Sequence, residues 1–288
     1  METSASKIAE FKQRVDKEWA GDDIAAAWQK YYPQMKEQLA QVTAALVDAA
    51  SPRMGMSILD LASGTGEPSL SLARRAAPTG KVTATDLSNG MVAALSANAK
   101  AEGVTNIETK VCDAQQLPFP EASFDLVTSR FGVMFFVEIG RALAEIRRVL
   151  KPGGRIAFMV WGPPAPGTYF GAAAVPYMRR LAVKPDPDGP GPMRYAEPRK
   201  LVQVVEAAGF RDVQEKSLSL DAPYRGSPEH LLASMMEIAA PFRNAAATLS
   251  EDDRRAAEQE VYKNLRPLYD GTFTKVTAPV HIVTAVSS

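Results

Sequence analysis

Ile58-Leu-Asp-Leu-Ala-Ser-Gly-Thr-Gly-Glu-Pro-Ser69 joins a short apolar run to a glycine-rich turn, with a helix beginning immediately beyond it. Gly64 and Gly66 open backbone angles closed to other residues and let a ligand approach main-chain N–H groups directly. Read from Ala62, the turn is small-x-Gly-x-Gly, with Asp60 two residues upstream. A dinucleotide fingerprint requires Gly-x-Gly-x-x-Gly, and Ser69 stands where its last glycine would be. A pyrophosphate-binding loop remains open on this segment alone, but Asp60 suits a cationic ligand group better than an anion.

Working outward, Lys81-Val-Thr-Ala-Thr-Asp86 reads as a second strand whose terminal carboxylate lies 20 positions beyond Gly66. Asp86 can accept both ribose hydroxyls, a geometry that serves NAD and S-adenosylmethionine (SAM) alike. Ile107-Glu-Thr-Lys-Val-Cys-Asp113 ends in a further carboxylate, which can accept from an adenine amino group. Ser123-Phe-Asp-Leu-Val-Thr-Ser129 is a fourth strand. Glu138 to Lys151 follows as a helix closed by Pro152-Gly153-Gly154. Ile139, Leu143, Ile146 and Leu150 give this helix an apolar stripe, away from Arg141, Glu145 and Arg148.

Five segments in this order and spacing carry a resemblance: Leu59-Asp-Leu-Ala-Ser-Gly-Thr-Gly66, Ala84-Thr-Asp-Leu-Ser88, Asp113-Ala-Gln-Gln-Leu-Pro-Phe119, Phe124-Asp-Leu-Val127 and Arg147-Arg-Val-Leu-Lys-Pro-Gly-Gly154. Together they resemble the class I SAM-dependent methyltransferases, in the branch that includes the ubiquinone and menaquinone biosynthesis enzymes. The likeness covers residues 40 to 162 well and the remainder only in general plan. Ala62 replaces the first glycine usual in the loop, and alanine serves there if its φ stays negative.

The resemblance implies an α/β fold: a Rossmann-like seven-stranded, mostly parallel sheet with an antiparallel edge strand, plus helical lid insertions. It also implies SAM as methyl donor, S-adenosylhomocysteine as product, and in-line displacement without a metal. Positioning dominates such a transfer, with effective molarities of roughly 10⁵–10⁸ M. Carried onto this chain, Asp60 lies near the methionyl amino group, and Ala62, Ser63, Gly64, Thr65 and Gly66 give backbone contacts along the homocysteine and ribose. Asp86 takes the ribose hydroxyls, with Leu87 and Met91 against adenine. Asp113 accepts from adenine N6, with Ala114 on the opposite ring face. Ser129 and Arg130 meet the methionyl end through backbone groups, and Phe131 and Met134 face the transfer site.

Composition sets limits on these readings. Lys and Arg number 33, as do Asp and Glu, so no global field recruits nucleic acid, and a small uncharged or mixed-charge acceptor is favoured. Cys112 is the only cysteine, which excludes an internal disulfide or a thiolate cluster; its expected role is a small buried apolar residue. No segment approaches the ~20 apolar residues of a bilayer span. Met1 to Lys7 lacks a charged start followed by an apolar core, and the expected location is cytoplasmic.

Three parts are expected: a helical arm over 1–50, interrupted at Tyr31-Tyr32-Pro33; a SAM-binding core over 51–162; and, over 163–288, lid insertions with the edge strands completing the same sheet. Gly162-Pro-Pro-Ala-Pro-Gly167 and Lys184-Pro-Asp-Pro-Asp-Gly-Pro-Gly-Pro192 read as loops over the sheet's carboxyl edge, where open α/β sheets bind ligands. Residues 196–209 read as a helix and 211–220 as a strand. A Met-rich helical insertion, Ser227 to Asp270, precedes the last strand, Pro279 to Val286.

Tyr31, Tyr32, Tyr195, Met235 and Met236 join Phe131 and Met134 as acceptor-contact candidates, with core packing the competing role for the methionines and phenylalanines. His230 and Tyr32 are the candidates for a general base, His281 being structural within the last strand. The preferred acceptor is a small aromatic, quinone-like or polyketide-like compound, with O, C, N or S methylation open. A nicotinamide oxidoreductase is the alternative from another class, testable by NADH fluorescence. A non-catalytic SAM-binding protein is another, testable by turnover of SAM.

Overall fold

The computed structural model describes residues 4–287, so Met1–Thr3, the start of the arm and of the leader reading, lie outside the described residues, as does Ser288. Three helices form the arm: α1 (Ser4–Trp19), α2 (Asp22–Gln38) and α3 (Ala40–Ala50). Then β1 (Ser57–Leu61), α4 (Ser69–Ala76), β2 (Lys81–Asp86), α5 (Asn89–Ala101), β3 (Ile107–Val111), β4 (Phe124–Arg130), α6 (Ile139–Val149) and β5 (Leu150–Trp161) alternate as in a doubly wound sheet. Beyond β5 come α7 (Tyr169–Ala173), α8 (Val175–Met178), α9 (Lys200–Ala207), β6 (Arg211–Asp221), β7 (Tyr224–Arg225), α10 (Pro228–Ile238), α11 (Ala240–Ala247), α12 (Glu251–Leu265), β8 (Phe273–Thr274) and β9 (Thr277–Val286).

The main sheet has the order β3-β2-β1-β4-β5-β9-β6. The first five strands pair in parallel, while β9 runs antiparallel to both β5 and β6. The antiparallel strand is therefore the penultimate one, and β6 forms the edge. Central β1 is apolar and buried at Ile58, Leu59 and Leu61, as a strand covered on both faces must be. The outer strands β3 and β6 instead carry Glu108, Lys110, Glu215 and Lys216, which discourage pairing with another sheet. β7 and β8 make a separate two-stranded ribbon. A second core lies among α7, α8 and α10–α12, built on Tyr177, Leu231, Met235, Phe242, Val261 and Leu265.

Two local expectations are corrected. The helix before β5 ends at Val149, and Pro152-Gly153-Gly154 lies within β5 rather than stopping a helix at Lys151. Leu150 already pairs with Phe124 while Arg155 pairs with Leu126, so the intervening residues loop out as a bulge, helped by the positive φ of Gly153. The arm is also unbroken at Tyr31-Tyr32-Pro33: α2 carries Pro33 inside it, and the breaks fall at Gly21 and Leu39. Proline removes one helix donor at a cost of ~3 kcal/mol. Here Pro33 is exposed, while buried Tyr31 and Tyr32 anchor the turn by donating their hydroxyls to Glu237 (2.8 Å) and Glu102 (2.7 Å).

Because Pro33 is exposed, Pro33→Ala should restore a donor with little loss of contacts and raise stability by about 1 kcal/mol. Urea denaturation of the two proteins measures this. A lower midpoint for the alanine protein would mean that the proline sets a bend on which the arm's packing depends.

Candidate functional site

The turn after β1 packs tightly between neighbouring strand ends. Ala62 has φ 53 and Gly64 φ 55, so both are left-handed, and the expectation of a negative φ at Ala62 is corrected. The strain of a non-glycine residue there is roughly 1–2 kcal/mol. Gly132 is what lets the turn close: a Cβ on it would stand 2.5 Å from the Ala62 Cβ and 2.7 Å from Ser129 Oγ. Phe131, just before Gly132, is itself left-handed at φ 60. Such strained positions beside a cavity are where functional constraints concentrate.

Asp86 ties the turn to the next strand end. Its Oδ2 accepts from the Gly64 N–H at 2.9 Å, and its Oδ1 from the Ser88 N–H at 3.0 Å. Burial raises its pKa, and these N–H groups counter the shift by favouring the anion. Asp113 accepts from the Gln115 N–H (2.8 Å) and from Gln115 Nε2 (2.9 Å). Asn98 Nδ2 donates to Thr65 O at 2.8 Å, holding the middle of the turn.

These residues open into a cavity of about 390 Å³ at the carboxyl edge of the sheet. Of the residues assigned to the cofactor, Ala62, Ser63, Gly64, Thr65, Asp86, Leu87, Met91, Asp113, Ala114 and Arg130 line it; of those assigned to the acceptor, Tyr32, Phe131 and Met134 do. Facing the acidic strand ends is an aromatic wall. Phe131 and Trp161 stack with centroids 3.8 Å apart and planes 3° apart, while Tyr169 lies 6.3 Å and Phe170 4.9 Å from Trp161. The arm and the α10–α11 junction form the roof through Trp19, Trp28, Met35, Ile238, Pro241 and Phe242. Trp28 Nε1 donates to Ile238 O at 2.8 Å, closing the arm onto the insertion.

Several assignments are corrected by position. Asp60 is fully buried beneath the turn and does not line the cavity; its Oδ2 accepts from Ser69 Oγ (2.5 Å) and its Oδ1 from Thr128 Oγ1 (2.6 Å). Gly66 and Ser129 also lie outside the lining. Gly66 is shut in by Tyr32 and Leu70, and Ser129 Oγ is buried without a hydrogen-bond partner among the described residues. Tyr31 packs away from the cavity, its hydroxyl on Glu237. Tyr195 is buried in the main core, its hydroxyl unpartnered among the described residues, and Met235 and Met236 belong to the second core. Their apolar faces fill helix interfaces, so periodicity alone could not separate core from pocket.

Neither candidate base is placed to act. His230 is exposed at the start of α10, with its ring beside Tyr31 and Tyr224, and it does not line the cavity. Tyr32 lines it, but burial and the Glu102 hydrogen bond push its phenol far above the ordinary range. His281 is buried between Ser217 Oγ (2.7 Å) and Ala196 O (2.9 Å), in the structural role expected. Cys112 is half-buried and lines the cavity, and burial raises its thiol to about 11.

Sequence reasoning missed Glu67, Trp28, Trp161, Tyr169 and Phe170. Trp161 ends β5 as Asp86 ends β2, and the same strand-end rule would have found it. Trp28 had no signal beyond helical spacing. Among the described residues no cluster of His, Cys, Asp and Glu could hold a metal, and no helix is long and apolar enough to cross a membrane.

The residues present fit an adenosyl amino acid. The turn offers close backbone approach, Asp86 retains lone pairs for hydroxyls, and Asp113 stands at the next strand end. Residues 59–158 match the family described as "Methyltransferase domain". Over these residues the chain is similar to methyltransferase domains. A ubiquinone/menaquinone biosynthesis C-methyltransferase of Ralstonia pickettii is 42% identical over 118 residues, 40% of this chain and 48% of that protein. A namesake from Bordetella avium is 42% identical over 110 residues, 38% of this chain and 43% of its own. The chain thus matches about half the length of these relatives.

The matched residues sit in a fold shared with the YcgJ protein of Bacillus subtilis, at TM-score 0.55, 19% identity, and 86% and 98% coverage of the two chains. A phosphoethanolamine N-methyltransferase of Haemonchus contortus gives TM-score 0.54 at 19% identity, covering 96% of this chain and 60% of that one. The [4+2]-cyclase SpnF gives 0.55 at 20% identity, covering 86% and 80%. That a cyclase shares the fold shows why the reaction must be argued from the site.

Burial raises the Asp60 pKa to about 6, outweighing the Ser69 and Thr128 hydrogen bonds and the field of Arg130. An acid with a raised folded pKa binds its proton more tightly in the folded state, so stability falls as pH rises from ~4 to ~6 and stays reduced above. Asp60→Asn should remove this dependence, a relative change on the order of 3 kcal/mol. Urea midpoints of both proteins across that range provide the check, and parallel profiles would show that folding leaves the Asp60 pKa unchanged.

Proposed function

We propose that the chain transfers a methyl group from SAM to a small aromatic, quinone-like or polyketide-like acceptor. The observation that carries this reading is the placement of Asp86 and Asp113 on one side of a single cavity and the Phe131–Trp161 stack with Tyr169 and Phe170 on the other. Carbon is our first choice of acceptor atom, because the relatives matched over residues of the domain are named as C-methyltransferases.

In this reading Asp86 holds the ribose hydroxyls, Asp113 and Ala114 the adenine, and Gly64 and Thr65 the connecting backbone. Leu87 and Met91 pack on the base. SAM, when bound, supplies an electrophilic sulfonium methyl. The protein's own contribution is to hold a flat acceptor against the aromatic wall and to exclude water beneath the arm and the α10–α11 junction. No histidine lines the cavity among the described residues, so a positioned acceptor in its ionised or nucleophilic form fits better than imidazole base catalysis. The three-part division at 50 and 162 and a cytoplasmic location belong to the same proposal.

Labelled SAM offered with a panel of hydroquinones, naphthols and polyketide aromatics, followed by mass spectrometry, tests the activity. Absence of S-adenosylhomocysteine formation with every acceptor, alongside saturable SAM binding, would favour a non-catalytic binding protein.

Asp86→Ala should weaken SAM binding by about 1.5–3 kcal/mol, the range for hydrogen bonds to a charged group. The effect is read by calorimetry on protein stripped of copurified ligand. Unchanged affinity in a folded variant would remove Asp86 from the cofactor site.

A further inference from the structure

Arg130 is the last residue of β4, half-buried, and lines the cavity. Its Nη1 donates to Thr43 Oγ1 at 2.5 Å, and that is the guanidinium's one hydrogen bond among the described residues. Among the same residues no carboxylate comes within ion-pairing distance of it. Asp60 is occupied by Ser69 and Thr128, while Glu67 faces Lys36 at 3.9 Å and Arg74 at 4.0 Å. Both acids reach Arg130 only through their longer-range fields, and burial lowers its pKa.

Two other half-buried arginines, Arg148 and Arg155, are satisfied by protein, while Arg14 and Arg147 each donate to one carbonyl and do not line the cavity. Arg148 binds Glu145 together with the carbonyls of Leu117 and Phe119, and Arg155 binds the carbonyls of Ala50 and Ser51. Those groups serve structure. Withdrawing a guanidinium from water without a counter-charge is unfavourable, and the cavity that Arg130 lines is also lined by Met35, Leu39 and Phe131. Its planar fork offers two parallel N–H groups to a carboxylate or ring oxyanion, and Thr43 fixes the fork's orientation.

We infer that Arg130 is the oxyanion subsite of this cavity, taking a carboxylate or an ionised ring oxygen from the bound ligands. The inference rests on the SAM-methyltransferase reading and extends it, giving the side chain a role distinct from backbone contact at the same residue. The anion has two possible sources: the amino-acid end of the cofactor, or an acidic oxygen on the acceptor.

The test uses the full chain and Arg130→Met and Arg130→Lys variants. Calorimetry compares S-adenosylhomocysteine with 5′-methylthioadenosine, which lacks the amino-acid end, and 1-hydroxy-2-naphthoate with naphthalene, which lacks any oxyanion. Arg130→Met should weaken one of the two anionic probes by about 10-fold or more and leave its neutral counterpart unchanged. Loss confined to S-adenosylhomocysteine assigns the cofactor as source, and loss confined to hydroxynaphthoate assigns the acceptor. The melting temperature of the ligand-free methionine variant should be equal or higher, since an uncompensated buried charge has been removed. A structural arginine would lower it.

Undiminished affinity for both anionic probes in a folded variant overturns the inference. So does an equal loss for anionic and neutral probes. Where Arg130→Met fails to fold, Arg130→Lys decides, because it keeps the charge but not the fork: unchanged affinities overturn the inference, and a selective loss for one anionic probe supports it. If the unaltered chain binds neither adenosyl probe, the SAM reading fails, and the hydroxynaphthoate arm still judges Arg130.

Discussion

The hydrogen bond from the Gly64 N–H to the Asp86 carboxylate is the constraint on which the rest of the site depends. It fixes the turn after β1 against the end of β2, and the same carboxylate takes the Ser88 N–H where α5 begins. Three elements thereby meet at one group. Each carboxylate oxygen has two lone-pair sites, so the two internal bonds leave capacity for a ligand's hydroxyls. Burial works against the charge and raises its pKa, and backbone N–H groups offset part of that shift without a neighbouring cation. A carboxylate neutralised by a lysine or arginine would offer less to a neutral ribose.

What was legible in the sequence was what repeats with a short period or sits at a fixed offset. Ile58 to Leu61 is apolar and buried, and Asp86 and Asp113 stand where strand-end reasoning puts them, beside one cavity. Asp60 shows the limit of that reasoning. It has the right type and offset for ligand contact, yet it lies fully buried outside the cavity lining, held there by Ser69, beyond the turn, and Thr128, on a neighbouring strand far along the chain. Ser69 occupies the place of the glycine missing from a dinucleotide fingerprint, so the departure that argued against one cofactor also supplied Asp60 with an internal partner. Only the fold reveals that pairing.

Pro33, Met235 and Met236 illustrate a different limit. A proline reads as a break because its local cost is known, but the tyrosines beside it are anchored by Glu102 and Glu237, which are remote in sequence. The methionines read as a pocket surface because they are adaptable and apolar, and the same properties let them fill the second core. Which apolar face meets solvent, ligand or another helix is decided by tertiary contacts such as Trp28 to Ile238, and no window of sequence contains both residues.

The cavity's charges bear on its chemistry more than the chain's net charge does. Overall the acidic and basic residues balance, yet the lining gathers Asp86 and Asp113 at the adenosyl side and Arg130 at the end of β4, with aromatic rings beyond. A ligand that spans this space meets acceptors at Asp86 and Asp113, the guanidinium of Arg130 and flat apolar surface, while the lining's Lys12 and Lys36 are paired with Glu138 and Glu102. The only two histidines are placed elsewhere, and the cavity's tyrosines have their phenols pushed above the ordinary range by burial. Such groups donate protons in hydrogen bonds and do not remove them. A site built this way gains little from carrying a base of its own. It gains more from an acceptor whose oxygen is already acidic enough to ionise beside a guanidinium, because low-dielectric walls strengthen that pairing and the developing nucleophile is then held on the ring.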